Sequence, residues 1–184
     1  MPLTEHQRNA LPFVRARFKD AFAPATTPAP FEQRARLPDP ADLPADLTVQ
    51  VEIATPSSHA LLDVPLRAPE RVPVFFYALG ASPPDPAPTR VLFFIHGGAN
   101  LIGHPTETLY LQLFTSLLRA APAPCIVAAP CYRLATTPEN AFPAALQDVV
   151  AAYDHVLAQG YSPSNIVFVG DSAGGNHGRH PLPP

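Results

Sequence analysis

Apolar positions along this chain follow two periods, and the change between them separates an arm from a body. In the first 45 residues, Leu11, Val14, Phe18 and Phe22 fall at helical spacing with Arg15, Arg17 and Lys19 between them. Pro12 is tolerable only in a first turn, so that helix starts near it. "APATTPAP" and the run to Pro44 then read as extended connection. From Asp46 the pattern becomes that of strands. "LTVQVEI" alternates apolar and polar, as a half-buried strand does, and "VPVFFYAL" reads as a second strand before the turn residues "SPPDPAP". "RVLFFIH" is a continuous apolar run, as in a sheet covered on both faces. A helix follows, with Thr106 as its expected cap and Leu109, Tyr110, Leu113, Phe114, Leu117 and Leu118 as its expected inward stripe. "CIVAAP" is a fourth strand. "FPAALQDVVAAYDHVLAQG" is a helix with Pro143 in its first turn, Leu146, Val149, Val150, Tyr153, Val156 and Leu157 facing inward, and Gly160 as its stop. "NIVFVG" is the fifth strand. Strands alternating with helices after Arg90 predict an α/β fold with a largely parallel sheet.

Composition narrows the partners more than the fold. With 47% hydrophobic and 15% charged residues the chain is ordinary for a soluble globular domain, and its net charge of -3 gives nucleic acid or an anionic membrane no electrostatic pull. No apolar run has the length of a secretory signal or of a membrane span, so the expectation is a cytoplasmic protein. The basic helix of the arm leaves weak interfacial binding as an alternative to packing on its own domain. Cys125 and Cys131 lie six apart on one extended segment, roughly 20 Å between Cα atoms, too far for a disulfide. Neither they nor His59, His104 and His155 have metal-ligand spacing, so no metal site is expected. Asp148 and Asp154 are expected on the solvated side of their helix.

The chemistry concentrates at "GDSAG", which matches G-x-S-x-G directly after an apolar strand. A serine hydroxyl is a weak nucleophile and must be held exposed where a base can take its proton. A tight strand-to-helix turn does this in a strained conformation, with Gly170 and Gly174 leaving room for the crossing chains. "HGGAN" directly follows the "VLFFI" strand, where glycines let backbone N–H groups approach a developing oxyanion.

With "HGGAN", "YRLATTPENAFPAALQDV" and "GDSAGGN" in this order, the chain resembles the hormone-sensitive-lipase-like branch of α/β-hydrolase esterases over roughly Thr89 to Asn176. That resemblance implies the N-terminal part of an α/β-hydrolase fold, hydrolysis of small acyl esters, and no metal or organic cofactor. It makes Ser172 the nucleophile. It places the oxyanion hole at Gly97, Gly98, Ala99 and Ala173, the N–H groups coming from Gly98, Ala99 and Ala173. It leaves His96 and Asp171 to shape the loops, and Tyr132 and Arg133 to brace the end of the sheet. Ala99 stands where the family usually has a third glycine. By the same resemblance residues 1–45 form an arm and part of a lid, residues 46–176 a partial hydrolase domain, and residues 177–184 a tail outside the family pattern. The family order is serine, acid, histidine, yet no Asp or Glu follows Ser172. His177 is expected to point away from the serine. The expectation is therefore a chain that stops early and is inactive as given, with its fifth strand a bare apolar edge and poorly soluble. The alternative is a non-catalytic small-molecule-binding or regulatory homologue.

Overall fold

A computed structural model of the chain describes residues 29–57, 69–80, 85–122 and 124–178. The helix expected near Pro12 lies outside them, as does His59. Five strands form one sheet: β1 Leu47–Ala54, β2 Val72–Leu79, β3 Arg90–Ile95, β4 Cys125–Pro130 and β5 Ile166–Gly170, in the order β1-β2-β4-β3-β5. β1 pairs antiparallel with β2, and β2 antiparallel with β4. β3 runs parallel to both β4 and β5. The sheet is thus mixed, parallel only after Arg90, where helices cross between strands.

Two helices cover its faces, and the alternation within the strands divides the core between them. Helix α2, Thr108–Ala120, packs with Phe75, Tyr77, Phe94 and Val127. Helix α3, Ala144–Ala158, packs with Val74, Val91, Phe93 and Ile95. Successive β3 residues therefore serve opposite layers, which is why "VLFFI" has no polar member. The short helices α1, Phe31–Arg34, and α4, Ala173–His177, belong to the site.

Two details of α2 differ from expectation. It begins at Thr108 with Glu107 as its cap residue, and the Glu107 carboxylate accepts from the His104 N–H at 3.1 Å. Its buried face is Tyr110, Leu111, Phe114, Thr115 and Leu118, while Leu109 is 69% exposed and Leu113 also faces outward. The helix carries apolar residues around most of its circumference, and the contacts of Tyr110 and Phe114 with Phe94 fix which arc meets the sheet. Thr115 tolerates burial because its hydroxyl donates to the Leu111 carbonyl at 2.8 Å.

The larger correction is Asp148, which is 1% exposed rather than solvated. Its carboxylate accepts from the Arg133 N–H at 2.7 Å, from Arg133 Nε at 3.0 Å and from Arg34 Nη2 at 2.9 Å. Arg34, itself buried, also donates to the Cys131 carbonyl at 2.7 Å, so the end of the arm is fixed to the body through charge. Burial pushes the Asp148 carboxyl upward, and the two guanidiniums oppose that shift. Asp154 is exposed, as expected. Cys125 and Cys131 are both free thiols. β5 pairs only with β3 among the described residues and leaves Val167 and Phe168 exposed, the open apolar edge anticipated from "IVFV".

Candidate active site

From β3 the chain crosses to β4 on one side and then to β5 on the other. The carboxyl end of β3 is therefore a switch point, where loops diverge and leave a crevice. The loop after β3 and the turn after β5 meet there.

Ser172 sits in the turn from β5 to α4 with φ 49° and ψ −112°. An L-residue at such angles costs about 1–3 kcal/mol and persists only when its surroundings enforce it. Here the Asp171 N–H donates to the Ile95 carbonyl at 3.2 Å and the Gly174 N–H to the Asp171 carbonyl at 2.8 Å. A Cβ on Gly174 would overlap the Ile95 carbonyl, and one on Gly170 would meet the Gly174–Gly175 backbone. These glycines allow strand and helix to cross in contact and hold the serine at the apex.

The facing loop, His96–Gly103, turns through three consecutive left-handed residues, Gly98 at φ 99°, Ala99 at 55° and Asn100 at 61°. Ala99 adopts a left-handed conformation that glycine takes freely, at a cost of about 1–2 kcal/mol. Side chains fasten this loop. The Tyr132 hydroxyl donates to the His96 carbonyl at 2.7 Å, and the Tyr132 ring stacks on His96 with centroids 4.1 Å apart. The Gly97 N–H donates to the Tyr110 hydroxyl at 3.2 Å, and that hydroxyl donates to Asp171 Oδ2 at 3.1 Å. Tyr110 thus joins the loop to the serine turn, and burial pushes its phenol up to about 12. Gly97 is thereby a spacer: its N–H is engaged, and a Cβ there would meet Asp171 Oδ2 at 2.5 Å. By contrast the N–H groups of Gly98, Ala99 and Ala173 donate to no acceptor among the described residues.

Asn100 and Tyr110 escaped the sequence reading as site residues. The only sign of Tyr110 was a hydroxyl tip within an apolar stripe. His177 is buried: its Nε2 lies 2.7 Å from Asn100 Oδ1, and its ring meets Tyr132 edge-on. Asn100 is a neutral amide, which does not orient an imidazole as the acid of a triad does.

Burial holds the His96 imidazole down to about 4. At neutral pH it is uncharged. Since a carbonyl only accepts, Nδ1–H donates to the Gly97 carbonyl at 2.9 Å and Nε2 is a buried acceptor without a partner among the described residues. The unfolded chain takes up this proton near pH 6.5 and the folded one only near pH 4, so folding stability is present above pH 6.5 and is lost on acidification. Urea unfolding is expected to show about 2 kcal/mol less stability at pH 5 than at pH 7 from this group. His104, also lowered by burial, acts in the same direction. His96→Asn should flatten the dependence; an unchanged slope would refute the assignment.

Beside the loop a cavity of about 500 Å³ opens between the arm and the body. Ala29, Pro30 and Arg34 form one wall, Leu101 and Ile102 another, and Tyr132 and Leu134 a third; Ser172 is not among its lining residues. The Arg34 carbonyl lies 3.0 Å from His104 Nε2, so the arm also contacts the residue that follows this loop. No group of three or more His, Cys, Asp or Glu among the described residues is placed to hold a metal ion. No helix among them is long and apolar enough to cross a membrane.

Residues 92–178 match the family model described as alpha/beta hydrolase fold. The chain is 39% identical over 85 residues to an acetyl-hydrolase of Streptomyces hygroscopicus, covering 46% of this chain and 26% of that protein. It is 33% identical over 132 residues to the carboxylesterase/phospholipase LipF of Mycobacterium tuberculosis, covering 72% of this chain and 30% of that one. The crystal structure of an esterase from the bacterial hormone-sensitive lipase family superposes with a TM-score of 0.51 at 27% identity, over 96% of this chain and 50% of the other. The chain thus spans half or less of the length of each of these relatives. Its strand order, its serine turn and these matches agree: over residues 92–178 the chain is an alpha/beta hydrolase, similar to the hormone-sensitive-lipase-like esterases.

Proposed function

We propose that this chain carries the nucleophile and the oxyanion hole of a serine carboxylic-ester hydrolase. The observation that supports it most directly is that three backbone N–H groups, those of Gly98, Ala99 and Ala173, have no acceptor among the described residues and lie in the loop and the strained serine turn that Tyr110 joins. Ser172 Oγ adds to the ester carbonyl carbon and gives its proton to a base. The carbonyl oxygen takes up the electron pair and becomes the oxyanion that these N–H groups stabilise. Collapse expels the alcohol, which takes a proton, and leaves an acyl-serine that water cleaves in the same manner. No step requires a metal or organic cofactor. The apolar walls of the cavity, Leu101, Ile102 and Leu134, suit a short or medium acyl chain under the arm.

The base in this scheme is a histidine oriented by an acid, and no Asp or Glu follows Ser172 in these 184 residues. The 184-residue chain should therefore acylate slowly and turn over scarcely at all. That allows a direct test. After incubation with p-nitrophenyl butyrate, peptide mass spectrometry is expected to find butyryl on Ser172 at least about tenfold above the half-buried Ser162 and the exposed Ser164, which lie before β5, away from the proposed N–H donors. Equal labelling of the three serines would overturn the nucleophile assignment. It would favour a non-catalytic binding role, for which the cavity without Ser172 in its walls is the supporting observation.

A further inference from the structure

At the end of the sheet away from Ser172, where β4 begins and the chain turns into β5, lies a second recess of about 230 Å³. Its base is aromatic. Phe76 on β2 and Tyr161 stack with centroids 6.5 Å apart and planes 18° apart, and the His155 ring leans on Phe76 at 6.3 Å. Its rim is polar, formed by Gln50 and Glu52 of β1 and by Gln159 just after α3.

Glu52 Oε2 accepts from His155 Nε2 at 2.9 Å and from Gln159 Nε2 at 2.7 Å, while Oε1 has no partner among the described residues. The Gln50 amide and the Tyr161 hydroxyl likewise make no hydrogen bond among the described residues. No Lys or Arg lines the recess. We propose that this recess binds a small organic ammonium ion, seated on the Phe76 and Tyr161 rings and paired with Glu52. The rings offer their negative faces to a cation, and a half-exposed carboxylate with an open oxygen completes the seat. An anion meets the charge of Glu52, and a neutral guest of the same shape strips water from that carboxylate without replacing the interaction. Burial, and behind it the charge of Glu52, raises the Tyr161 phenol, which places the field of Glu52 on the ring that forms the base.

The site is independent of the ester chemistry at Ser172, and so is its test. The full chain, fused to maltose-binding protein, is dialysed to equilibrium at constant ionic strength against choline or against 3,3-dimethylbutan-1-ol, its uncharged isostere; the fusion partner alone is the blank. Choline is expected to bind saturably and at least about tenfold more tightly than the isostere. Glu52→Gln should abolish that preference, and Ser172→Ala should retain it. Absence of saturable choline binding, equal affinity for the isostere, or an unchanged preference in a folded Glu52→Gln variant would each overturn the proposal. Should that variant not fold, the ratio measured on the parent chain decides alone.

Discussion

Asp148→Ala is expected to remove about 3–5 kcal/mol of folding stability, the cost of leaving buried charges without their partner. The site is unusual in holding one carboxylate between two arginines, Arg34 and Arg133, each less than a tenth exposed. Glu70 approaches both guanidiniums at 3.6 Å, but it is 55% exposed and too distant for strong hydrogen bonds, so it does not replace Asp148. A domain of this size is stable by only about 5–15 kcal/mol, so the substitution takes a large share of the total. Asp148→Asn keeps the shape and part of the hydrogen bonding and should cost less. The order of effects is itself informative. If Asp148 merely filled volume, the asparagine variant would match the parent. Urea unfolding followed by circular dichroism at low protein concentration measures both. An Asp148→Ala midpoint equal to that of the parent would show that the arginines are not held by this carboxylate. The arm should respond in the same experiment: once Arg34 loses its partner, limited proteolysis is expected to cut before residue 45 earlier than in the parent.

This buried triad also shows where the sequence is readable and where it is not. The strands were legible because period two and continuous apolar runs have few alternative explanations, and the five predicted segments coincide with β1 to β5 within a residue. The serine turn and the glycine loop were legible because their steric needs restrict residue choice locally: Gly170 and Gly174 have backbone where a side chain would stand. Asp148 was not legible. A carboxylate on a helix reads as solvated unless its partners are known, and Arg34 is 114 residues away in sequence. Tyr110 was hidden in the opposite manner, as a ring that fits an apolar stripe and whose hydroxyl acts on Gly97 and Asp171 from another element. The inward arc of α2 was misread because its apolar residues, Leu111 included, span more than half of the helix, wider than the arc the sheet covers, and the packing is centred to one side of the predicted stripe. In each case the missing information is long-range. It is carried by hydrogen bonds and packing between segments, not by the pattern within one.

Gly174→Ala is expected to lower the rate of Ser172 butyrylation by about 10²–10³, the effect of losing an oxyanion donor. The reasoning begins from backbone contact. A Cβ at Gly174 would overlap the Ile95 carbonyl and lie 2.6 Å from the His96 carbonyl, and both are main-chain atoms at the end of β3. Neither can rotate away as a side chain would. To admit the methyl, the serine turn must withdraw from the loop after β3. That movement separates the Ala173 N–H from those of Gly98 and Ala99 and strains the Asp171 N–H contact with the Ile95 carbonyl, 3.2 Å in the parent. On the proposed assignment the three donors are then drawn apart, although none has been deleted. Gly175→Ala is the matched comparison, because its nearest contact is the Gly170 carbonyl at 3.3 Å, which a shift of a few tenths of an ångström relieves. One position later in the same helix, the same methyl should leave acylation within about threefold of the parent. A pair of folded variants that label Ser172 equally would show that donor convergence does not set the reactivity of this serine. A large difference between them would place the rate in the crossing of two backbones, the feature that fixes the conformation of Ser172.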